Sequence, residues 1–400
     1  MTEVWIAGTF DTKVAELEYL RDCLEQQNVD ARLIDLSTQK HGHKTDISAN
    51  DVAAFHASGV AAVFDSPDRG TAVAAMEQAF ASLCAHRRDC IAGIIGAGGG
   101  GGTSIVTAGM RALPYGVPKV MISTLASGDV APYVDISDIV MVPSITDIAG
   151  LNRISRRVLR SAAGAFAGML AAPTEEDVVG RPSIGLTMFG VTTPAVTSTV
   201  SALEPDFECI VFHATGTGGR CMEQLVQEGI LGGLLDITLT EIADLLVGGV
   251  LPAGEERLDV VAKTGVPWVG SVGALDMVNF WAPHTIPERF KDRLFHHHNS
   301  NVTLMRTTVD ENQKMGEWIG QKLNRCDGPV RLMLPEKGIS ALDIKGGPFW
   351  SPDANAALYA AIKDTVTVTK DRQIINLPHH INDPEFAAAI ARIYRNVSGS

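Results

Sequence analysis

Two glycine-rich stretches hold the residues best suited to chemistry in this chain. The first follows the apolar run Ile91-Ala92-Gly93-Ile94-Ile95 and reads Gly96-Ala97-Gly98-Gly99-Gly100-Gly101-Gly102-Thr103-Ser104. The second follows Cys209-Ile210-Val211-Phe212 and reads His213-Ala214-Thr215-Gly216-Thr217-Gly218-Gly219-Arg220. An apolar run, a glycine cluster and a helix-like segment, in that order, describe a buried parallel strand turning into a helix. Such a turn aims several backbone N–H groups at one point, at the positive end of a helix dipole. Glycine lets a ligand approach that backbone closely. A phosphate or carboxylate is the natural occupant. Gly98, Gly99, Gly100, Gly101 and Gly102, with Thr103 and Ser104, are therefore candidate phosphate ligands. No Gly-Lys-Ser/Thr follows them, so this is not a Walker A loop.

The opening strand ends in Gly8-Thr9-Phe10-Asp11-Thr12-Lys13. In an open parallel sheet, ligands sit beyond the carboxyl ends of the strands. Gly8 lies at such an end, Thr9 and Thr12 offer hydroxyls, and Lys13 offers charge. Asp11 would hold Mg²⁺ or cap the following helix. A dinucleotide fingerprint needs its glycines here and an acid after the second strand. Asp35 ends the second strand, but this loop has one glycine only.

In the second half, His213, Gly216, Gly218, Gly219 and Arg220 form a candidate cradle for an anionic substrate group. The stretch Leu294 to Thr308 contains His296, His297, His298 and Arg306. On a strand, His296 and His298 would share a face and His297 would not. A metal there needs a remote carboxylate, such as Asp276, Glu336 or Asp343. A polar substrate pocket with one histidine as acid or base is the favoured reading. Glu336 and Lys337 follow the apolar run Val330 to Leu334. They stand where catalytic groups belong, or form a surface ion pair.

The elements that must position these residues alternate. Strands are expected at Val4–Ala7, Ala31–Leu36, Ile91–Ile95, Lys119–Ser123 and Ile139–Val142. Helices are expected at Lys13–Gln26, Asp51–Ser58, Thr71–Ala85, Thr103–Leu113 and Ile148–Ala172. A polar turn around Ala172 to Asp177 marks a domain boundary. A second sheet then begins, with strands at Ser183–Met188, Cys209–His213, Gly233–Ile237 and Val330–Leu334. Helices follow from Pro194, Gly219, Thr240, Val309, Asp353 and Pro384. Residues Gly248 to Phe295 resist assignment. Strands alternating with helices imply parallel sheets covered on both faces.

Composition agrees. The chain has 400 residues, 46% hydrophobic and 20% charged, which suits two packed domains rather than disorder. A net charge of −13 argues against binding nucleic acid through a general basic surface. Six scattered cysteines without a CxxC pair suit a reducing compartment. No apolar run reaches membrane-spanning length, and the first residues lack the basic region of a signal peptide. A cytoplasmic location, with no membrane partner, is expected.

Gly8–Lys13, Gly96–Ser104, His213–Arg220 with Met222-Glu223, His298–Thr308 and Pro335–Asp343 together resemble the Tm-1-like, UPF0261 family. The likeness runs through essentially the whole chain in the same order. It implies two Rossmann-like α/β domains, ATP binding and a homodimer. Plant members carry a further barrel, so their antiviral action is not carried over. The chain is accordingly read as α/β, with mostly parallel sheets facing a central cleft. Residues 1–175 would bind ATP and Mg²⁺, with Asp11 on the metal. Residues 180–400 would bind a small acidic metabolite, with His298, Arg306, Glu336 and Lys337 at the chemistry. Phosphoryl transfer to that metabolite, or its activation, is the expected reaction. A non-catalytic nucleotide or metabolite sensor is one alternative. A metal-dependent hydrolase or isomerase using the histidine stretch is another.

Overall fold

Short apolar strands alternating with helices account for nearly all of the chain. The computed structural model describes residues 2–173 and 180–399. Contacts divide the chain into two units, Met1–Glu176 and Asp177–Ser400. The turn expected at Ala172 to Asp177 thus lies largely outside the described residues.

The first unit contains strands β1 (Glu3–Gly8), β2 (Ala31–Asp35), β3 (Ile91–Gly98), β4 (Lys119–Ser123) and β5 (Val140–Pro143). Its helices are α1 (Val14–Glu25), α2 (Ala49–Ala53), α3 (Ala61–Phe64), α4 (Arg69–His86), α5 (Gly100–Arg111), α6 (Ala131–Val134) and α7 (Arg153–Ala171). The strands form one parallel sheet in the order β2-β1-β3-β4-β5. Alternate residues of each central strand face opposite layers. Ile6, Ile95 and Val120 pack against Leu17 and Leu20 of α1 and Leu159 and Phe166 of α7. Trp5, Ile94 and Met121 pack against Met76 and Phe80 of α4 and Val106 and Met110 of α5. Both faces are covered, so β1, β3 and β4 read as nearly unbroken apolar runs. At the contact between α4 and α5, a Cβ on Gly109 would overlap the Phe80 ring.

The second unit contains β6 (Ser183–Met188), β7 (Glu208–His213), β8 (Leu234–Thr238), β9 (Trp268–Gly273), β10 (Met277–Phe280), β11 (Phe295–His297), β12 (Thr303–Arg306), β13 (Val330–Pro335) and β14 (Arg372–Leu377). Its helices are α8 (Thr193–Leu203), α9 (Thr217–Gln227), α10 (Thr240–Val247), α11 (Asp259–Thr264), α12 (Val309–Asn324), α13 (Pro352–Thr365) and α14 (Pro384–Ser398). Six strands make a parallel sheet, β14-β13-β9-β8-β6-β7, and β10-β12-β11 make a small antiparallel one. Ile184, Leu235 and Met333 pack on α8 and α14, while Leu234, Trp268 and Leu332 pack on α9, α12 and α13.

Several boundaries differ from the sequence reading. Helix α5 begins at Gly100, not Thr103, so three of the glycines form its first turn. Helix α7 begins at Arg153, not Ile148, because the Asn152 side chain accepts from the Ile154 and Ser155 amides and starts it there. The unassigned stretch contains α11, β9 and β10. Glycine is compatible with β9 because Gly270 leaves room for the Trp268 indole. Strand β14 had no sequence counterpart. Its Arg372, Gln373 and Asn376 suit an edge strand but hide the period.

Candidate functional site

The strand order of the first unit reverses between β1 and β3, so the chain leaves these neighbours toward opposite faces of the sheet. A crevice opens beyond their carboxyl ends at such a point. Here it is a cleft of about 350 Å³, lined by Thr9, Asp11, Thr12, Lys13, Thr38, Gln39, Arg69, Val73, Ile105 and Gly99 to Gly102.

The glycines matter through their amides. Helix α5 has Gly99 as its N-cap and no side chain capping it. The first helical bond is Thr103 N–H to the Gly99 carbonyl at 2.8 Å. The amides of Gly100, Gly101 and Gly102 precede it and have no helical acceptor. Helix α1 likewise lacks a side-chain cap, with Lys13 in the N-cap position. The long helices α4 and α7 are capped by Asp68 and Asn152. Thus the two long helices that begin at the crevice strands leave their orphan donors to a ligand or water.

The first loop is built to hold this arrangement. The Thr9 carbonyl accepts the Lys13 amide at 2.8 Å, and the Thr9 and Thr12 hydroxyls lie 2.9 Å apart. The Asp11 amide donates to Ser37 Oγ at 2.9 Å, and Ser37 donates in turn to Asp35. His41 Nε2 lies 2.8 Å from the other Asp35 oxygen, while its Nδ1 accepts the His43 amide. Asp11 Oδ1 is buried without a hydrogen-bond partner. A buried carboxylate oxygen in that state calls for a cation or a donor. One such carboxylate beside open helix amides has the chemistry Mg²⁺ would use, since that ion takes most of its other ligands from phosphate and water.

Not every residue chosen from sequence lines the cleft. Gly8 packs against Leu17, where a Cβ would come within 2.7 Å. Gly98 lies under the helix start, and its would-be Cβ meets Gly102 Cα at 3.0 Å. Thr103 is buried, its hydroxyl 2.7 Å from that of Ser123. Ser104 is half-buried one residue further into the helix. Conversely, Thr38, Gln39, Arg69, Val73 and Ile105 line the cleft and were not anticipated. Thr38 and Gln39 follow β2, the strand beside β1, and Arg69 opens α4. Their place at the carboxyl edge of the sheet is the signal that would have found them.

The second glycine loop follows β7, an edge strand, and already has an anion. The Gly216 amide donates to Glu241 Oε2 at 2.8 Å, with Gly216 at φ +81°. The other Glu241 oxygen accepts Arg257 Nε at 2.6 Å. Arg257 is fully buried and also pairs with Glu223 at 2.6 Å and Asp236 at 2.5 Å. Burial alone would lower its pKa, but the three carboxylates hold it well above the usual arginine range. Burial raises the Glu223 pKa against the opposing pull of Arg257. A Cβ on Gly219 would overlap Glu241, and one on Gly218 would overlap the His213 carbonyl. A ligand carboxylate at this loop would have to displace Glu241 from Gly216 and Arg257. Arg220 lies 4.0 Å from Glu256, and exposed His213 stacks on Phe189 at 5.3 Å between ring centroids.

The remaining candidates are dispersed. His298 is exposed beyond the end of β11, at the tip of the hairpin with β12. Arg306 lies at the other end of that hairpin and is buried. It donates to the Phe349 carbonyl at 2.7 Å, the Thr307 hydroxyl at 2.7 Å and the Asp276 carbonyl at 3.3 Å. Its guanidinium is 3.9 Å from Asp343. Burial, reinforced by Asp343 and opposed by Arg306, pushes the Asp276 pKa up to about 7. Asp276 Oδ2 accepts from Ser340 at 2.7 Å, while its buried Oδ1 has no partner. Glu336 and Lys337 are exposed at the end of β13, and Glu336 accepts from Asn376 at 3.1 Å. Among the described residues, no three His, Cys, Asp or Glu side chains are grouped to hold a metal.

Two family models cover nearly the whole chain. Residues 2–175 match the N-terminal domain of an uncharacterised protein family, UPF0261, and residues 181–398 match its C-terminal domain. The chain belongs to the UPF0261 family. A UPF0261 protein of Rhizobium meliloti is 57% identical over 398 residues, covering 100% of both chains. A UPF0261 protein of Clostridium tetani is 43% identical, covering 98% of this chain and 97% of its own. The tomato ToMV resistance protein Tm-1 is 41% identical over 419 residues, which span 99% of this chain and 56% of the tomato protein. None of the six cysteines of this UPF0261 chain is in a disulfide. No helix among its described residues is long and apolar enough to cross a membrane.

Proposed function

We propose that the first unit binds Mg-ATP in the β1/β3 crevice and that the protein uses the nucleotide on a small acidic metabolite. The observation that carries the nucleotide half is the uncapped glycine turn of α5, which opens onto a cleft also lined by Lys13, Thr9 and Thr12. Amides and a cation would neutralise phosphate charge, and positioning of this kind supplies most of the catalysis in phosphoryl transfer. Asp11 would carry Mg²⁺. Val73 and Ile105 give the cleft an apolar wall. The Tm-1-like resemblance points to ATP in particular. A dinucleotide reading is less well supported, because the Asp35 carboxylate that would take a ribose hydroxyl is engaged by Ser37 and His41.

The metabolite half rests on His213, Glu336 and Lys337, exposed at strand carboxyl ends of the second unit. The resemblance brings homodimerisation with it, and six cysteines outside disulfides suit a cytoplasmic location.

Calorimetric titration with Mg-ATP tests the nucleotide half, using the wild type and the double variant Gly100→Val, Gly101→Val, with both folds checked by circular dichroism. The wild type should bind, and the folded variant should lose about tenfold or more in affinity. Absence of wild-type binding at millimolar Mg-ATP would reject the assignment. A screen of small carboxylic acids for ATP consumption then separates an enzyme from a sensor. Turnover with one acid supports the transfer reading, and binding without turnover supports the sensor.

A further inference from the structure

Lys13 and Arg69 are the two cations that line the cleft, and each stands at the start of a helix. Lys13 is the N-cap of α1, and Arg69 is the first residue of α4. A cation there faces the positive end of the helix dipole and is disfavoured. The α4 start is capped by the Asp68 carboxylate, so the glycine turn of α5 and the start of α1 are the two uncapped N-termini at the cleft. No ion pair to Lys13 or Arg69 occurs among the described residues. Against these positive groups the cleft lining sets one carboxylate, Asp11, in a chain whose net charge is −13. The cleft lining thus carries a local excess of positive charge, which favours an anion there.

The two cations also arrive from different sides. Helix α1 packs on one face of the sheet and α4 on the other. On α4, Val73 faces the glycine turn, 3.6 Å from the position of a Gly101 Cβ. Arg69 lies about one helical turn before Val73 and lines the same cleft. A phosphate chain seated on those amides and running along the crevice would present its end to Arg69 on the α4 side.

We propose that Arg69 binds the far end of a polyphosphate chain and makes the site discriminate by phosphate number, in favour of triphosphates. This rests on the nucleotide reading above and deepens it. The planar guanidinium suits this task because it can grip two phosphate oxygens at once.

Titrations of ATP, ADP, AMP and inorganic tripolyphosphate into the wild type, Arg69→Gln and Arg69→Lys test it. The wild type should bind ATP more tightly than ADP, and ADP more tightly than AMP. Arg69→Gln should lose about ten- to hundredfold for ATP and tripolyphosphate and less than about threefold for AMP. Arg69→Lys should recover part of the loss. Equal losses for ATP and AMP, or no loss, would overturn the role of Arg69 while leaving nucleotide binding intact. Tripolyphosphate binding that needs Arg69, with no nucleotide bound, would retain the arginine and reject ATP. Failure of all four ligands on the wild type would reject both.

Discussion

The two units share a strand order and differ in what stands at its switch point. Numbered within its own sheet, each parallel sheet runs 2-1-3-4-5, with one strand added in the second. In the first unit, the reversal between β1 and β3 leaves a polar cleft. In the second, the reversal falls between β6 and β8, and buried Thr192, Thr238 and Ile381 crowd the carboxyl ends there. The Thr192 and Thr238 hydroxyls are 2.7 Å apart, and a Cβ on nearby Gly273 would come within 2.9 Å of Ile381. The glycine loops differ in the same sense. One sits at the switch point with open amides; the other sits on the edge strand with an internal carboxylate on it. In the second unit the glycine cluster is filled by the chain's own carboxylate, whereas in the first the strand order leaves it open to the cleft.

The largest expected effect tests the internal anion. Arg257→Ala would leave Glu223, Asp236 and Glu241 buried without their shared cation. It should destabilise the second unit by about 3–5 kcal/mol. Urea unfolding followed by tryptophan fluorescence reads this well, because four of the five tryptophans, Trp268, Trp281, Trp318 and Trp350, lie in that unit. A loss under 1 kcal/mol would mean that the cluster is not what holds the loop.

Next, the same substitution in the two loops should give opposite signs. Gly219→Ala drives a Cβ into Glu241 and should cost about 1–3 kcal/mol. Gly101→Ala puts its Cβ at an ordinary 3.6 Å contact in a helical first turn and should stabilise by up to about 1 kcal/mol. Denaturation midpoints of the two variants settle it, and equal signs would dissolve the contrast.

The smallest effect is a pH dependence in the second unit. Burial pushes the Asp276 and Asp244 carboxyls up to about 7. The folded chain therefore keeps protons that the unfolded chain has released above the ordinary aspartate range. The stability this contributes is full below that range and is lost as the pH rises through about 7. Asp276→Asn removes one such group and keeps an acceptor for Ser340. At pH 8 it should be more stable than the wild type by on the order of 1 kcal/mol, with a smaller difference at pH 5. An identical difference at both values would count against a neutral Asp276.

Much of this was legible in local sequence. Apolar runs mark β1, β3, β4, β6 and β13, and Thr9, Asp11, Thr12, Lys13 and Gly99 to Gly102, all picked out by sequence, line one cleft. What escaped was non-local. Thr38 and Gln39 reach the cleft because β2 pairs with β1. Arg69 reaches it because α4 starts at the same sheet edge. The partner of Gly216 is Glu241, which stands 25 residues on. The polar edge strand β14 and the glycine-bearing β9 lack an apolar period. Helix starts shifted because a glycine turn reads as loop, although α5 already winds through it.

Gly109 gives the cleft a fulcrum. Its bare backbone lets the Phe80 ring sit flush on α5, so the spacing of α4 and α5 is set at that contact. Arg69 lies eleven residues before Phe80 on α4, about 16 Å up the helix axis. A methyl group at position 109 would tilt α4 at that contact, and the lever arm would magnify the tilt at its far end. The aperture of the cleft is thus gauged by a residue that never faces it.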